Sequence, residues 1–454
     1  ARVATSLLMY ISIYQLGATI WIRLRPRRLF FTLLSVGSGL GWLLLLLDPG
    51  ELAADMNIPE AFPFYAAYTN PHFPLSIASL ALIAALYIIV FRRGFTAPPS
   101  VDNGGLGLML LAMALSLVQP TALVSIGAAL GLYVLARWYL TKEFPNHELR
   151  WSAMLWLPAI PFAVYDFAVF HFNDIMGEFN RQNQTPSPEP LLYVFGYGLL
   201  LIVAIPGLVR AVRRFERDGD QLMLLWFVVN VIGLYAPFNL QRRLALGLVI
   251  PIVYFAVRAL EDYWFYIVPK NWRAPAIIAL IVFVVPSNVI VLAIPLVGAV
   301  ASPERGLDAG LLIDDDYWEQ LQWLDANGEN DAVVLAAPTI SLWIPAYTRQ
   351  RVVYGHEYET VPKAERLRQV EDWYRGTDCD TLLGDGLPFE VRYILWGPQE
   401  RDLGYEDADD NDDDDASLLL YPDTGKCFEQ IPASRIAEEV IHGDVTLYVL
   451  AGSN

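Results

Sequence analysis

Several runs of about 18 or more residues in this chain carry almost no charge, and a helix of about 20 apolar residues spans the hydrocarbon core of a bilayer. That feature makes the chain a polytopic α-helical membrane protein. It is 55% hydrophobic, with a mean hydropathy of +0.37. Hydrophobic patterning predicts about ten spans, over residues 3–22, 29–47, 74–91, 104–118, 120–138, 151–170, 191–209, 221–238, 244–260 and 274–298. Pro158, Pro161, Pro206, Pro251, Pro286 and Pro295 fall in or beside these segments, as packed or kinked membrane helices tolerate.

Charge divides the chain in two. From Pro303 to Asn454 there are 33 acidic against 11 basic residues, a balance of −22, whereas the remainder holds 16 against 20, a balance of +4. A transmembrane domain over 1–300 is therefore followed by a strongly acidic domain over 301–454. Such acidity excludes nucleic acid as a partner, because phosphate binding needs a basic surface. Basic residues cluster in alternate connections: Arg23 to Arg28, Arg92 and Arg93, Arg137 and Lys142, Arg210 to Arg217, and Arg258 to Arg273. The positive-inside rule assigns that side to the cytoplasm. Loop 48–73, loop 171–190, the Asn239–Arg243 turn and the acidic domain then lie outside the cytoplasm. By the same count an earlier span and outer loop are expected before Ala1.

Two adjacent arginines, Arg242 and Arg243, sit in the stretch Asn239-Leu-Gln-Arg-Arg-Leu244 on the side where the rule disfavours them. A guanidinium pair holds a phosphate by charge-assisted, often bidentate hydrogen bonds. With Gln241 and the free amides of a helix start, this is the candidate lipid-phosphate site. Pairing with Glu60, Asp55 or lipid headgroups at large is the alternative. Loop 48–73 supplies Asp48, Glu51, Asp55, Glu60 and His72. Its carboxylates suit a general base, or with His72 a divalent metal site, against the alternative of an ordinary solvated loop. Loop 171–190 and Asp166 are further polar features on that side.

Beyond residue 313 the pattern becomes that of a small α/β unit. A helix opening at Asp314 is followed by a strand at Ala332–Ala336 and a second at Arg351–Tyr354. Next come a helix near 362–375, a strand at Val391–Trp396, and strands near 417–421, 427–431 and 445–450. His356 and Glu357 follow the second strand, where α/β sheets place sites, and are the candidate acceptor-binding pair. The Asp407–Asp415 run is a solvated loop or a calcium site, and it lacks the EF-hand glycine and glutamate spacing. Cys379 and Cys427, the only cysteines, are expected to pair in an oxidising compartment.

This layout, with Asn70–Pro74, Gln241–Leu244, Val352–Thr360 and Tyr393–Gly404 around its Leu-Trp-Gly-Pro-Gln-Glu-Arg core, resembles the GT-C superfamily of membrane glycosyltransferases. The likeness is to bacterial members related to the dolichyl-phosphate-mannose and undecaprenyl-linked sugar transferases. It implies a polyprenyl-phosphate-linked sugar as donor and an envelope glycan, lipid or protein as acceptor, with transfer on the extracytoplasmic side of the cell membrane. It also implies carboxylates in the outer loops. With one span missing, loop 48–73 takes the second such position, and Asp48, Asp55 or Glu60 matches it. The rival expectation is a non-catalytic membrane subunit or scaffold of a larger complex, whose acidic domain binds a partner.

Overall fold

In lipid every backbone amide must be satisfied within its own segment, so the apolar runs are committed to helix. A computed structural model describes residues 1–216, 219–301, 312–383, 390–403, 405–406, 419–420 and 423–451. The Asp407–Asp415 run, Arg217 and Gly404 lie outside the described residues. The chain divides into two compact units, residues 1–169 with 184–294, and residues 170–183 with 295–454.

Among the described residues seven helices, which lie wholly or mostly in the first unit, are long and apolar enough to cross a membrane: Arg2–Ile20, His72–Val90, Pro120–Thr141, Asn146–Phe172, Pro190–Arg214, Gln241–Ile267 and Lys270–Gly298. Leu24–Val36 and Gly41–Leu47 form an eighth candidate, bent by 41°. Gly105–Val118 and Asp220–Gly233 are apolar but shorter. Every segment expected from the patterning is met by a helix, and the fourth and eighth fall short of spanning length. The bend has a local cause. Leu40 donates its amide to Phe195 O at 2.8 Å, and a Cβ on Gly39 would lie 2.0 Å from Gly196 O, so only glycine permits this approach. Phe30, Phe62, Tyr87, Trp151, Trp226, Tyr254 and Phe255 fill the unit's core.

The second unit is built on a five-stranded sheet of order β2-β1-β3-β7-β6, with β1 Val333–Leu335, β2 Arg351–Val352, β3 Val391–Trp396, β6 Ile436–His442 and β7 Val445–Leu450. β1 runs parallel to β2 and β3, whereas β3, β7 and β6 are antiparallel. β4 Tyr405–Glu406 and β5 Leu419–Leu420 form a separate pair. Alternate residues face opposite sides of the sheet. Val333 and Leu335 join Trp373, Tyr374, Cys427 and Leu450 on one side; Val334 joins Tyr317, Leu321, Leu324 and Leu447 on the other. The Asp315–Asn327 helix is capped by Asp314, whose side chain accepts the Asp316 amide at 2.9 Å.

Two elements differ from the sequence reading. Residues 426–429 form a helical turn rather than a strand, because Gly425 adopts φ +78° and Lys426 donates its amide to Asp423 O. β6 carries Glu438 and Glu439 and lacks a continuous apolar face, as expected of an edge strand that must discourage further pairing. Cys379 and Cys427 are joined by a disulfide, with Cα atoms 5.1 Å apart.

Candidate functional site

The arginine turn is held from three directions. Gln241–Ala245 is a single 3-10 helix, too short to be rigid alone. The segment entering the Pro190–Arg214 helix clamps it: Thr185 donates its amide to Asn239 O at 2.7 Å, and Arg242 donates to Thr185 O at 3.0 Å. Gln241 completes the clamp, accepting the Ser187 amide at 3.2 Å and donating to Ala236 O at 2.8 Å. At the far end, buried Asn230 donates to Leu244 O at 2.7 Å, and its own oxygen accepts from Ser125, which in turn accepts from Trp226 Nε1. Gln241, expected to bind phosphate, is thus engaged through both side-chain heteroatoms in fixing the turn.

Against this turn lies Glu60, in the Pro59–Ala61 3-10 helix and fully buried. One of its oxygens is 3.4 Å from Arg242 Nε and 3.6 Å from Arg243 Nη1. Neither Glu60 oxygen accepts a hydrogen bond of acceptable geometry from a described residue, and Arg242 Nε donates none. Burying a carboxylate without hydrogen bonds is costly, and the two cations offset that cost only in part. The guanidiniums are themselves partly exposed, at 27% and 29%. Two cations against one anion leave the cluster with an excess positive charge.

Aromatic and imidazole groups line the remainder. His72, Tyr193 and Tyr197 lie within electrostatic reach of Glu60. Phe62 packs on Tyr197 with ring centroids 5.1 Å apart, and Arg243 lies over the Phe73 ring at 5.6 Å. The Tyr197 hydroxyl is buried without a hydrogen-bond partner among the described residues. Tyr65, in the connection between spans, has its pKa raised first by burial and then by the Glu60 charge, with Arg242 opposing. None of these tyrosines stood out in the sequence, because tyrosine within or beside an apolar run is ordinary core material.

The other carboxylates of the loop are placed differently. The Asp48 side chain is exposed and accepts the nearby Gly50 amide, at 3.3 Å. Asp55 is fully buried and accepts the amides of Gly39 at 2.9 Å and Gly41 at 3.2 Å, so it holds the bend between Leu24–Val36 and Gly41–Leu47. Burial raises its pKa to about 6, against hydrogen bonds from Ser287, Gly39 and Gly41 that favour the charged form. Among the described residues there is no group of three or more His, Cys, Asp or Glu side chains arranged to hold a metal, so His72 has no such set around it.

Beside the arginine turn, an apolar cavity of about 490 Å³ runs between the Pro120–Thr141 and Asp220–Gly233 helices. Val124, Ala128, Val229 and Ile232 line it, together with Leu240 and Leu244, which bracket the arginines in sequence.

In the second unit, His356 lines two cavities, of about 740 and 290 Å³, beyond the end of β2. Its Nδ1 accepts the Tyr358 amide at 3.1 Å, which leaves Nε2 to carry the proton of the neutral ring. Glu357 is engaged by Lys363 at 2.6 Å. The Asp174–Gln182 helix belongs to this unit: Gln182 donates to Thr360 O at 2.6 Å and accepts the Lys363 amide at 3.0 Å, while Asn183 donates to Tyr358 O at 2.8 Å. No protein-family model and no curated protein matches this chain.

Proposed function

We propose that the protein is an integral membrane glycosyltransferase that takes a sugar from a polyprenyl-phosphate donor and passes it to an envelope acceptor outside the cytoplasm. The observation that carries this reading is the Glu60–Arg242–Arg243 cluster: a buried carboxylate without hydrogen bonds beside two guanidiniums on a braced turn. The excess positive charge suits a lipid phosphate, and the apolar cavity that Leu240 and Leu244 help to line suits one isoprenoid chain of that lipid. The Cys379–Cys427 disulfide and the basic residues in the opposite connections support an extracytoplasmic acidic domain.

In the proposed step the acceptor hydroxyl oxygen attacks the anomeric carbon. The bond from that carbon to the phosphate oxygen breaks, its electron pair staying on the phosphate. The hydroxyl proton passes to Glu60. Arg242 and Arg243 stabilise the charge that develops on the departing lipid phosphate, an effect strengthened where water is scarce. Asp48, exposed, and Asp55, tied to the bend, suit the role of base less well than Glu60.

Native mass spectrometry of the purified protein with its co-purifying lipids tests the carrier site. Wild type is expected to retain a polyprenyl phosphate, and Arg242→Ala/Arg243→Ala to lose it by a hundredfold or more. If neither form binds such a lipid, the arginines are interfacial anchors and the rival reading, a non-catalytic subunit, takes over.

A further inference from the structure

We infer that Glu60 is the internal counter-ion that sets the charge of the headgroup this site accepts, selecting a singly charged phosphodiester over a diphosphate. The inference rests on the lipid-phosphate reading and deepens it by naming the donor class. Both guanidiniums address the same buried carboxylate, at 3.4 and 3.6 Å, yet neither completes a hydrogen bond to it. Their hydrogen-bonding capacity is therefore not consumed by Glu60, although half of their charge is neutralised.

The charge balance makes the selection. Two arginines and one carboxylate give +1, which a sugar phosphodiester of one negative charge brings to zero. Sugar transfer turns that diester into a phosphomonoester with one more negative charge. If the acceptor proton moves to Glu60, the carboxylate loses its charge as the phosphate gains one, and the cluster is neutral before and after the step. A diphosphate-linked donor carries a second negative charge from the outset. It leaves the cluster at −1 throughout, with the excess negative charge set against a carboxylate that is itself fully buried, where like-charge repulsion is weakly screened. No described lysine or further arginine pairs with Glu60 to absorb it. The braces on the turn, from Thr185, Gln241 and Asn230, fix the backbone from which both guanidiniums project.

The test uses the full chain in neutral detergent at pH 8 and two probes with the same tail, farnesyl methyl phosphate and the methyl diester of farnesyl diphosphate, which carry one and two negative charges, with affinities read by titration calorimetry. Wild type is expected to bind the singly charged phosphodiester at least tenfold more tightly. Glu60→Gln removes one negative charge with little change of shape, and is expected to tighten the doubly charged diphosphate diester at least tenfold and to reverse the preference. Glu60→Asp, which keeps the charge, restores the wild-type order and so separates charge from folding. A wild type that prefers the diphosphate, or a Glu60→Gln protein with an unchanged ratio, overturns the counter-ion role while leaving the lipid-phosphate site standing. Wild type that binds neither probe overturns the lipid-phosphate reading itself.

Discussion

Among the described residues each unit buries one glutamate completely, and the two are treated in opposite ways. Glu400, after β3 in the second unit, accepts the Ala337 amide at 2.9 Å, the Gly397 amide at 2.9 Å and the Tyr317 hydroxyl. It lies where the chain leaves the parallel strands β1 and β3, the place at which open α/β sheets commonly bind ligands, and ties the two exits together. Burial raises its pKa, and the hydrogen bonds from Tyr317, Ala337 and Gly397 work against that rise. Glu60, equally buried, has cations nearby and no hydrogen bonds of its own. A carboxylate with three donors is bound into the fold. One without any is held by charge alone. Equal burial of the same residue type thus goes with opposite hydrogen-bond satisfaction.

Glu400→Gln should break the satisfied side of this contrast. An amide in that position has one acceptor oxygen where the carboxylate had two, so at least one buried donor is stranded, and a loss of about 3 kcal/mol is expected. Hydrogen exchange of β1 and β3 in the intact chain should speed up accordingly, and unchanged protection would show that the three bonds are dispensable.

Asp55 is an intermediate case, with two backbone donors and a pKa of about 6 against 3.8. Because folding raises this pKa, the stability it contributes is fully present below pH 3.8 and is lost as pH rises through about 6. The loss is on the order of 3 kcal/mol. Thermal midpoints in detergent should fall between pH 4 and 7 for wild type, and Asp55→Asn, which can still accept the glycine amides, should flatten that slope. An equal slope in both proteins would assign the pH dependence elsewhere.

The smallest effect is expected at Glu60. Glu60→Gln should shift unfolding by less than about 1 kcal/mol, since the two guanidiniums are partly exposed and water can take up their charge. A loss as large as that at Glu400, measured in the same detergent melts, would make Glu60 a structural acid and erase the distinction.

Much of this architecture was legible in the residues. Long uncharged runs have few options in lipid, so helix positions followed from composition, and the Val333–Leu335, Val391–Trp396 and Val445–Leu450 strands followed from short runs rich in β-branched and aromatic residues. The pairing of Cys379 with Cys427 was expected because the acidic domain holds no other cysteine. The candidate site was visible only as loose parts. Arg242 and Arg243 stood out for being on the disfavoured side, and Glu60 was one of several loop acids with nothing to rank it above Asp48 or Asp55.

Sequence by itself determined which segments are apolar helices, where the charge changes sign and where the sheet begins, because those properties depend on the local sum of side-chain transfer energies and backbone preferences. Tertiary structure alone decided that Asp55 holds a helix bend, that Gln241 braces a turn, and that Glu60 meets both arginines from a loop some 180 residues away in the chain. Hydrogen-bond satisfaction is a property of the packed neighbourhood, in which donors from distant segments either reach a buried group or do not, and no local pattern of residues records the outcome.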